Sequence, residues 1–435
     1  MSEVLRRLAP PADRRVAVRV TDDAKRQVRG GHPWVFEASI TSVTGEGQAG
    51  DLAVVFDAER RFQAIGLYDP TSPIRVRVLH HGAPEPITEA WWRQRFQDAL
   101  DRRAPLAASA ETTGYRCVHG ENDGLPGLVV DRYGSTLVVK LYSVAWIPHL
   151  PMVVRLLDEL LGPDLVVLRL SRVVQRLGGD DLADGTVVLG DPPGGPVVFR
   201  ENGLEVEADV VAGQKTGYFL DQRDNRRLVG AMAGGGRVLD VFACTGGFSL
   251  AAAAGGARHV VSVDLSAPAL AVARRNLARN HDRPTVAACR HETVVGDAFE
   301  VMADLAADGE RFDVVVVDPP SFAQNQASVP GAMRAYARLT DLAVRLVDDS
   351  GLLVQASCSS RVVADDLFPA IHRAAAGAGR RLDEIRRTGH PLDHPVGFRH
   401  GAYLKALYAR VERLTGSGAA GESTGRNPSK ATKSP

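Results

Sequence analysis

The chain is 435 residues long and 45% hydrophobic, enough for two or three domains with cores of their own. Its formal charge balances at zero, with 52 Lys or Arg against 52 Asp or Glu, which excludes bulk electrostatic capture of nucleic acid and leaves only local basic patches. No uninterrupted apolar run reaches the roughly 18 residues of a membrane span, and the opening Met1-Ser-Glu-Val-Leu-Arg-Arg7 lacks an apolar signal-peptide centre, so the expected compartment is the cytoplasm.

Residues 1–15 read as an extension, and 16–82 as a unit of short strands. Charge gathers at this end: residues 1–35 hold eight Arg or Lys against four acids. Val16 to Val20, Asp51 to Phe56, Phe62 to Leu67 and Ile74 to Leu79 have strand length, separated by turn signals such as Gly45-Glu-Gly47 and Asp69-Pro70. The alternation in Ile74-Arg-Val-Arg-Val78 puts Arg75 and Arg77 on one face, and a small β-barrel is expected. Gly31-His-Pro-Trp-Val-Phe36, Gly66-Leu-Tyr-Asp-Pro70 and Ser72-Pro-Ile-Arg-Val-Arg77 resemble a PUA domain, a family that binds folded RNA. Phosphate contact is then expected from the basic stretch, with Arg75 and Arg77 taking part if their face is open.

From 90 to 195 the pattern mixes helix and strand, as in a small α+β linking domain. Trp91 to Ala104 predicts a helix ending before Pro105. Gly124 to Gly134 followed by Thr136 to Tyr142 predicts a hairpin, and the loop Gly190-Asp-Pro-Pro-Gly-Gly-Pro196 marks a boundary. Strands and amphipathic helices then alternate over 198–414, which predicts a doubly wound parallel sheet. The tail, 415–435, has too little apolar content to fold and is expected to be disordered.

Within that last unit, Arg237 to Ala251 reads as a strand, a two-glycine turn (Phe242, Thr245, Gly246, Gly247) and an Ala-rich helix. The next strand ends in Asp264, placed for ribose hydroxyls, and a third ends before Asp297-Ala298, placed for an adenine amino group and ring face. The turn lacks G-x-G-x-x-G spacing, and the acid at Asp240 repels phosphate. This pattern disfavours a dinucleotide and suits S-adenosylmethionine, which carries an ammonium and no phosphates.

The valine run Val314 to Val317 suits a strand covered on both faces, delivering Asp318-Pro319-Pro320-Ser321-Phe322 to the carboxyl edge of the sheet. Leu352 to Ala356 delivers Ser357-Cys358-Ser359 to the same edge. The four cysteines are too scattered for a disulfide framework or a metal cluster, and each reads as a free thiol. Cys358 is the candidate nucleophile, its chemistry specific to C5 of a pyrimidine: a thiolate adding to C6 makes C5 an enamine carbon able to take a methyl group. For this to run at neutral pH the thiol pKa, about 8.5 when free, is expected to be lowered. Asp318 would hold N3 protonated, and Pro319 and Phe322 would pack on a flipped base.

The motifs Gly120-Glu-Asn-Asp-Gly-Leu-Pro-Gly-Leu128, Gly213-Gln-Lys-Thr-Gly-Tyr-Phe-Leu-Asp-Gln-Arg223, Asp318-Pro-Pro-Ser-Phe322, Ser357-Cys-Ser359 and Tyr403-Leu-Lys405 resemble the 23S ribosomal RNA cytosine-C5 methyltransferase I family over nearly the whole chain. The resemblance implies an α/β class I (Rossmann-like) methyltransferase domain behind a PUA domain and a linking domain. It also implies 23S rRNA or an assembling large subunit as partner, Phe219 and Gln222 as cofactor-side contacts, and Lys215 or Arg223 as further RNA contacts. It involves no metal or membrane and leaves a homodimer open. Related two-cysteine enzymes carry a second thiol where Ser321 stands here, so the base that removes the C5 proton is not assigned. Two other readings compete: an N-methyltransferase acting on a guanine or adenine amino group, and a non-catalytic ribosome-assembly factor.

Overall fold

The computed structural model describes residues 2–178, 182–213 and 215–414; the expectation for the tail at 415–435 lies outside them. The helix Glu3–Arg7 lies in the stretch expected to be an extension, yet Leu5, 1% exposed, joins the core of the linking unit.

The N-terminal sheet contains β1 (Arg15–Val20), β2 (Trp34–Phe36), β3 (Ile40–Thr44), β4 (Leu52–Phe56), β5 (Phe62–Tyr68) and β6 (Ile74–His81), in the order β2-β6-β5-β4-β1-β3. Its β1 alternates buried and part-exposed residues, so that Val16, Val18 and Val20 meet Val55 and Val76 in one core. Two short strands, β2 and β3, and the helix Asp22–Arg29, capped by the Thr21 side chain, were not read from the sequence.

The face carrying Arg75 and Arg77 is not open to solvent. Arg77 is 5% exposed, with Glu121 of the linking unit 3.7 Å away, and Arg75 is turned onto Glu37 and the Pro70 carbonyl. Several cations of the basic stretch have partners within the chain, Arg14 on Asp51, Lys25 on Asp22 and Arg29 on Gln63, while the Arg26 pair with Asp23 lies at the exposed surface.

The linking unit builds a five-stranded sheet from β7 (Gly114–His119), β8 (Leu128–Tyr133), β9 (Thr136–Leu141), β10 (Leu165–Leu170) and β11 (Thr186–Leu189). The helices Glu89–Arg102 and Leu150–Leu161 supply Trp91, Trp92, Phe96, Leu156 and Leu157 to its core. A hairpin, β12 (Val197–Glu201) and β13 (Leu204–Ala208), follows the expected boundary loop. Its Phe199 and Val206 share a core with Tyr133 and Val138 on one side and Leu250 and Leu277 on the other, so apolar packing continues between the two larger sheets.

The C-terminal sheet has β14 (Arg237–Val241), β15 (His259–Asp264), β16 (Arg290–Val295), β17 (Phe312–Val317), β18 (Val347–Ser357), β19 (Arg380–Thr388) and β20 (Lys405–Arg413). The order is β16-β15-β14-β17-β18-β20-β19, parallel except for β20, which runs against both neighbours. Side-chain alternation explains the valine run: Val315 and Val317 enter one core with Leu239, Val241 and Leu353, while Val314 and Val316 enter the other with Val238, Leu352 and Val354. No helix among the described residues is long and apolar enough to cross a membrane.

A buried charge network ties the loop before β20 to the linking unit. Arg103, fully buried, donates to Asp123 at 2.8 Å and to the Asp393 carbonyl at 2.9 Å. The Asp393 carboxylate accepts from the Arg116 backbone and from Arg223, each at 2.9 Å. Arg223 is therefore a buried structural cation, 2% exposed, and its side chain is not free to reach RNA phosphate.

Candidate active site

Register decides which residues meet. Val241 pairs with Val263 on one side and Val317 on the other, and Val317 pairs with Gln355, so β14, β15, β17 and β18 end together. Their carboxyl edge presents the turn after Val241, Asp264, Asp318 and Cys358 side by side, at the place where open α/β sheets take ligands.

The turn is strained in the way a binding loop is. Phe242 and Cys244 sit at φ of 65° and 49°, a region costly for residues with a Cβ, and Gly246 follows at 74°. A Cβ on Gly246 would stand 2.6 Å from that of Ala273, and one on Gly247 would stand 2.5 Å from the Tyr218 hydroxyl, so both glycines allow close packing under the turn. Thr245 is anchored through its carbonyl, which accepts from Asn276 at 3.0 Å.

Asp240 is fully buried; one oxygen accepts from the Ser249 amide at 3.0 Å and hydroxyl at 2.6 Å, and the other has no partner. Burial, with the charge of Asp264, lifts its pKa to about 6 despite those hydrogen bonds. Asp264 accepts from the Cys244 and Ser266 amides, at 2.9 and 2.8 Å. Asp297 is exposed and caps the helix Ala298–Ala307 by accepting from the Phe299 amide at 2.9 Å; Ala298 is buried behind it. Between these acids stand Leu265 and Val295, 75% and 56% exposed, an uncovered apolar surface that the sequence reading missed. An apolar residue directly after a strand-end acid was the available signal.

Asp318 accepts from Gln222 Nε2 at 2.8 Å. Gln222 is itself oriented by Asn225, whose amide donates to it at 2.5 Å and whose oxygen accepts from the Thr388 and Tyr408 hydroxyls. Burial, then the nearby charges of Asp221 and Asp240, push the Asp318 pKa to about 7. The Cys358 thiol lies 3.7 Å from the Pro319 carbonyl, at the base of the same loop. Pro319 is buried, and Phe322, half-buried, packs edge-on against Tyr336 at 5.3 Å. The thiol differs from expectation: burial and then Asp318 raise it to about 11, with Lys215 opposing.

Asp221, within the Gly213 to Arg223 motif, is a site residue that the sequence pattern alone does not single out. It is 6% exposed, accepts from the Tyr403 hydroxyl at 2.9 Å, and leaves Oδ1 without a partner. Burial opposes its charge, but Lys215, His394, Arg116 and the Tyr403 hydroxyl outweigh this and hold it at about 2. Phe219 lies half-buried under the Lys215 ammonium, which is 4.2 Å from its ring centre. Asp221, Asp240 and Asp264 thus make this edge electronegative, suited to a cationic ligand. Arg75 and Arg77 do not reach it as solvent-facing cations, since both are turned into the body of the protein.

Residues 171–410 match the S-adenosylmethionine-dependent methyltransferase model, and residues 18–81 match a PUA-like domain. A ribosomal RNA large subunit methyltransferase from Deinococcus radiodurans is 46% identical over 403 residues, covering 92% of this chain and 98% of the relative. Ribosomal RNA large subunit methyltransferase I from Klebsiella pneumoniae is 36% identical, covering 87% and 94%. Among solved structures, one described as a candidate S-adenosylmethionine-dependent methyltransferase from Streptococcus mutans superposes with a TM-score of 0.76 at 20% identity, covering 91% of this chain and 99% of that one. Another, described as a candidate methyltransferase complexed with S-adenosylhomocysteine, gives 0.77 at 20% identity with the same coverage; both speak to the fold. This chain belongs to the ribosomal RNA large subunit methyltransferase family, S-adenosylmethionine-dependent enzymes with a PUA-like domain at the N-terminus.

Proposed function

We propose that the protein methylates C5 of a cytosine in large-subunit ribosomal RNA through a transient bond between Cys358 and C6 of the target base. The observation that carries this reading is the thiol beside the Asp318-Pro-Pro-Ser-Phe322 loop, 3.7 Å from the Pro319 carbonyl and close enough to Asp318 to feel its charge.

The electronegative edge fits S-adenosylmethionine. Asp240 offers a buried, unpartnered oxygen to an ammonium, Asp264 and Asp297 are carboxylates available as acceptors for ribose and adenine polar atoms, and Leu265 and Val295 offer apolar cover. Phe242, Thr245, Gly246, Gly247 and Ala298 shape the turn and the wall around them, with Phe219 and Gln222 on the near side. When bound there, S-adenosylmethionine supplies an activated methyl group on a cationic sulfur.

The protein's own residues do the rest. Asp318, with a pKa of about 7, is substantially protonated at neutral pH and can donate to N3 of the base while Gln222 fixes its other oxygen. The Cys358 thiol gives its proton to solvent, the thiolate Sγ bonds to C6, and the C5–C6 π pair shifts to C5, which becomes nucleophilic. Once C5 carries the methyl group, loss of the C5 proton to a base re-forms the double bond and the S–C6 bond breaks. The cation that opposes burial and Asp318 at the thiol is Lys215; Lys405, only 6% exposed, has its ammonium on the Ser359 and Val362 carbonyls, close enough to Cys358 for a thiolate there to raise its own pKa.

The N-methylation reading draws on one observation, the raised thiol pKa, which suits an unreactive cysteine. Mass spectrometry of nucleosides from ribosomal RNA methylated with isotope-labelled donor separates the two. The expected product is 5-methylcytidine; label on a guanine or adenine nitrogen would overturn the proposal.

The cofactor turn is tested separately. Gly246→Ala is expected to weaken S-adenosylhomocysteine binding about tenfold or more, because both the left-handed backbone and the Ala273 contact must give. Calorimetric titration measures this, and unchanged affinity would remove the turn from the cofactor site.

A further inference from the structure

A cavity of about 510 Å³ lies where the PUA-like sheet, the linking sheet, the segment after β13 and the loop before β20 meet. Its walls include Trp34, Arg77, Glu121, Tyr142, Lys215 and Phe398, drawn from all three units. Cys358, Asp318, Pro319 and Phe322 are not among its walls, but Phe219 and Asp221 are, and Asp221 is near enough to Asp318 to raise its pKa. The cavity is therefore next to the reaction site without being it.

Two features of the walls call for a ligand. Flat rings cluster at the cavity: Trp34, half-buried, meets Phe398 at 5.3 Å edge-on and lies roughly parallel to His400 at 6.3 Å, with Phe36 exposed beside it. Tyr142, 46% exposed, is another lining ring, with the Lys140 ammonium 5.9 Å from its centre. Arg77 is under-partnered. It is 5% exposed, its Nε has no hydrogen bond, and its ion pair with Glu121 is long at 3.7 Å, since that carboxylate oxygen already accepts from Trp34 Nε1 at 2.9 Å. A buried guanidinium left in this state is costly unless something completes its hydrogen bonds.

We infer that this cavity is a second nucleotide subsite, which takes an unstacked base adjacent to the methylated one. The inference rests on the reading of the protein as an RNA methyltransferase. Trp34 and Phe398 supply the stacking face, Arg77 donates to acceptors on the base edge, and Lys215 at the exposed rim faces the backbone phosphate. Aromatic faces interleaved with cations are the signature of single-stranded nucleic-acid sites, because every base has a π-face to offer. A double helix cannot present a splayed base, so the subsite gives the enzyme a preference for unpaired RNA around its target. It also gives the PUA-like unit its contacts through Trp34 and the buried Arg77, and not through a solvent-facing pair of Arg75 and Arg77 as expected from sequence.

The test uses the full-length protein and a fluorescein-labelled single-stranded RNA dodecamer of mixed sequence, read by anisotropy, with S-adenosylhomocysteine affinity and melting temperature measured alongside. Trp34→Ala and Phe398→Ala are each expected to weaken dodecamer binding by about tenfold, with cofactor-product affinity unchanged. Trp34→Phe, which keeps a flat face, is expected to recover most of the loss. A fully paired RNA of the same length is expected to bind no differently to wild type and variants. Unchanged dodecamer binding in both alanine variants overturns the proposal, as does a loss that simply follows a fall in melting temperature. Failure here is distinguishable from failure of C5 methylation, which is read from the position of the label in the product.

Discussion

Cys358→Ala is expected to lower methyl transfer to large-subunit ribosomal RNA by at least about a thousandfold, while S-adenosylhomocysteine binding stays within about twofold. The loss is large because C5 of cytosine is too weak a nucleophile until a sulfur is bonded to C6, and no other described cysteine stands at this edge except Cys244, which sits in the turn after β14 with its amide on Asp264 and not beside the Asp318 loop. Cofactor affinity is expected to be spared because the acids proposed to face the cofactor lie on β14, β15 and the turn after β16. Cys358→Ser is expected to be as inactive, since a hydroxyl in the same site ionises far less readily than a thiol. The covalent step has its own readout. RNA carrying 5-fluorocytidine at the target cannot lose a proton from C5, so wild-type enzyme is expected to stay bound to it through denaturing electrophoresis, and the alanine variant is not. The thiol pKa of about 11 adds a pH test in the free protein. Site-resolved alkylation of Cys358 by iodoacetamide is expected to be slow at pH 7 and to rise about tenfold per unit toward pH 11. A bound cation near the thiol favours the thiolate, so S-adenosylmethionine is expected to speed alkylation, wherever the reagent still has access. Wild-type methylation by Cys358→Ala, or no trapped complex, would remove the covalent mechanism.

What the sequence disclosed follows a physical division. The Val314 to Val317 run and the strand-end acids Asp240 and Asp264 are local patterns, and a buried parallel strand with a ligand-facing end is the direct consequence of each. Arg77 shows where local pattern stops: alternation puts it on the same face as Arg75, but whether that face meets water or a neighbouring sheet depends on a carboxylate 44 positions later, Glu121. Long-range pairs were invisible for the same reason. Asp221 and Tyr403 are 182 residues apart, and Arg103 reaches the Asp393 carbonyl across 290. The position of Cys358 at the sheet edge was legible because a strand delivers it. Its high pKa was not, because burial and the charge of Asp318 on a different strand set it.

Replacing Asp318 with asparagine is expected to give a protein that is more stable above neutral pH and poorer at methyl transfer by about a hundredfold or more. Asn keeps an oxygen for the Gln222 Nε2 contact at 2.8 Å, so the loop has a means of holding its shape. It cannot hand a proton to N3. The stability sign follows from burial raising the folded pKa from 3.8 to about 7. Below about pH 4 the carboxyl is neutral in both folded and unfolded chains and costs nothing extra. Between pH 4 and pH 7 the unfolded chain releases its proton while the folded one keeps it, so stability falls as pH rises, and above about pH 7 the full cost is present. The upper bound is roughly 4 kcal/mol, reduced by any water that reaches the carboxylate. The Asn variant lacks this slope, so its melting temperature is expected to sit near that of wild type at pH 4 and clearly above it at pH 8. A cationic ligand would relieve part of the same repulsion among Asp221, Asp240 and Asp318, so S-adenosylmethionine is expected to stabilise wild type more than the variant at pH 8. An equal gap at both pH values would show that Asp318 is not held neutral by its surroundings, and undiminished methylation by the variant would show that its proton is not used.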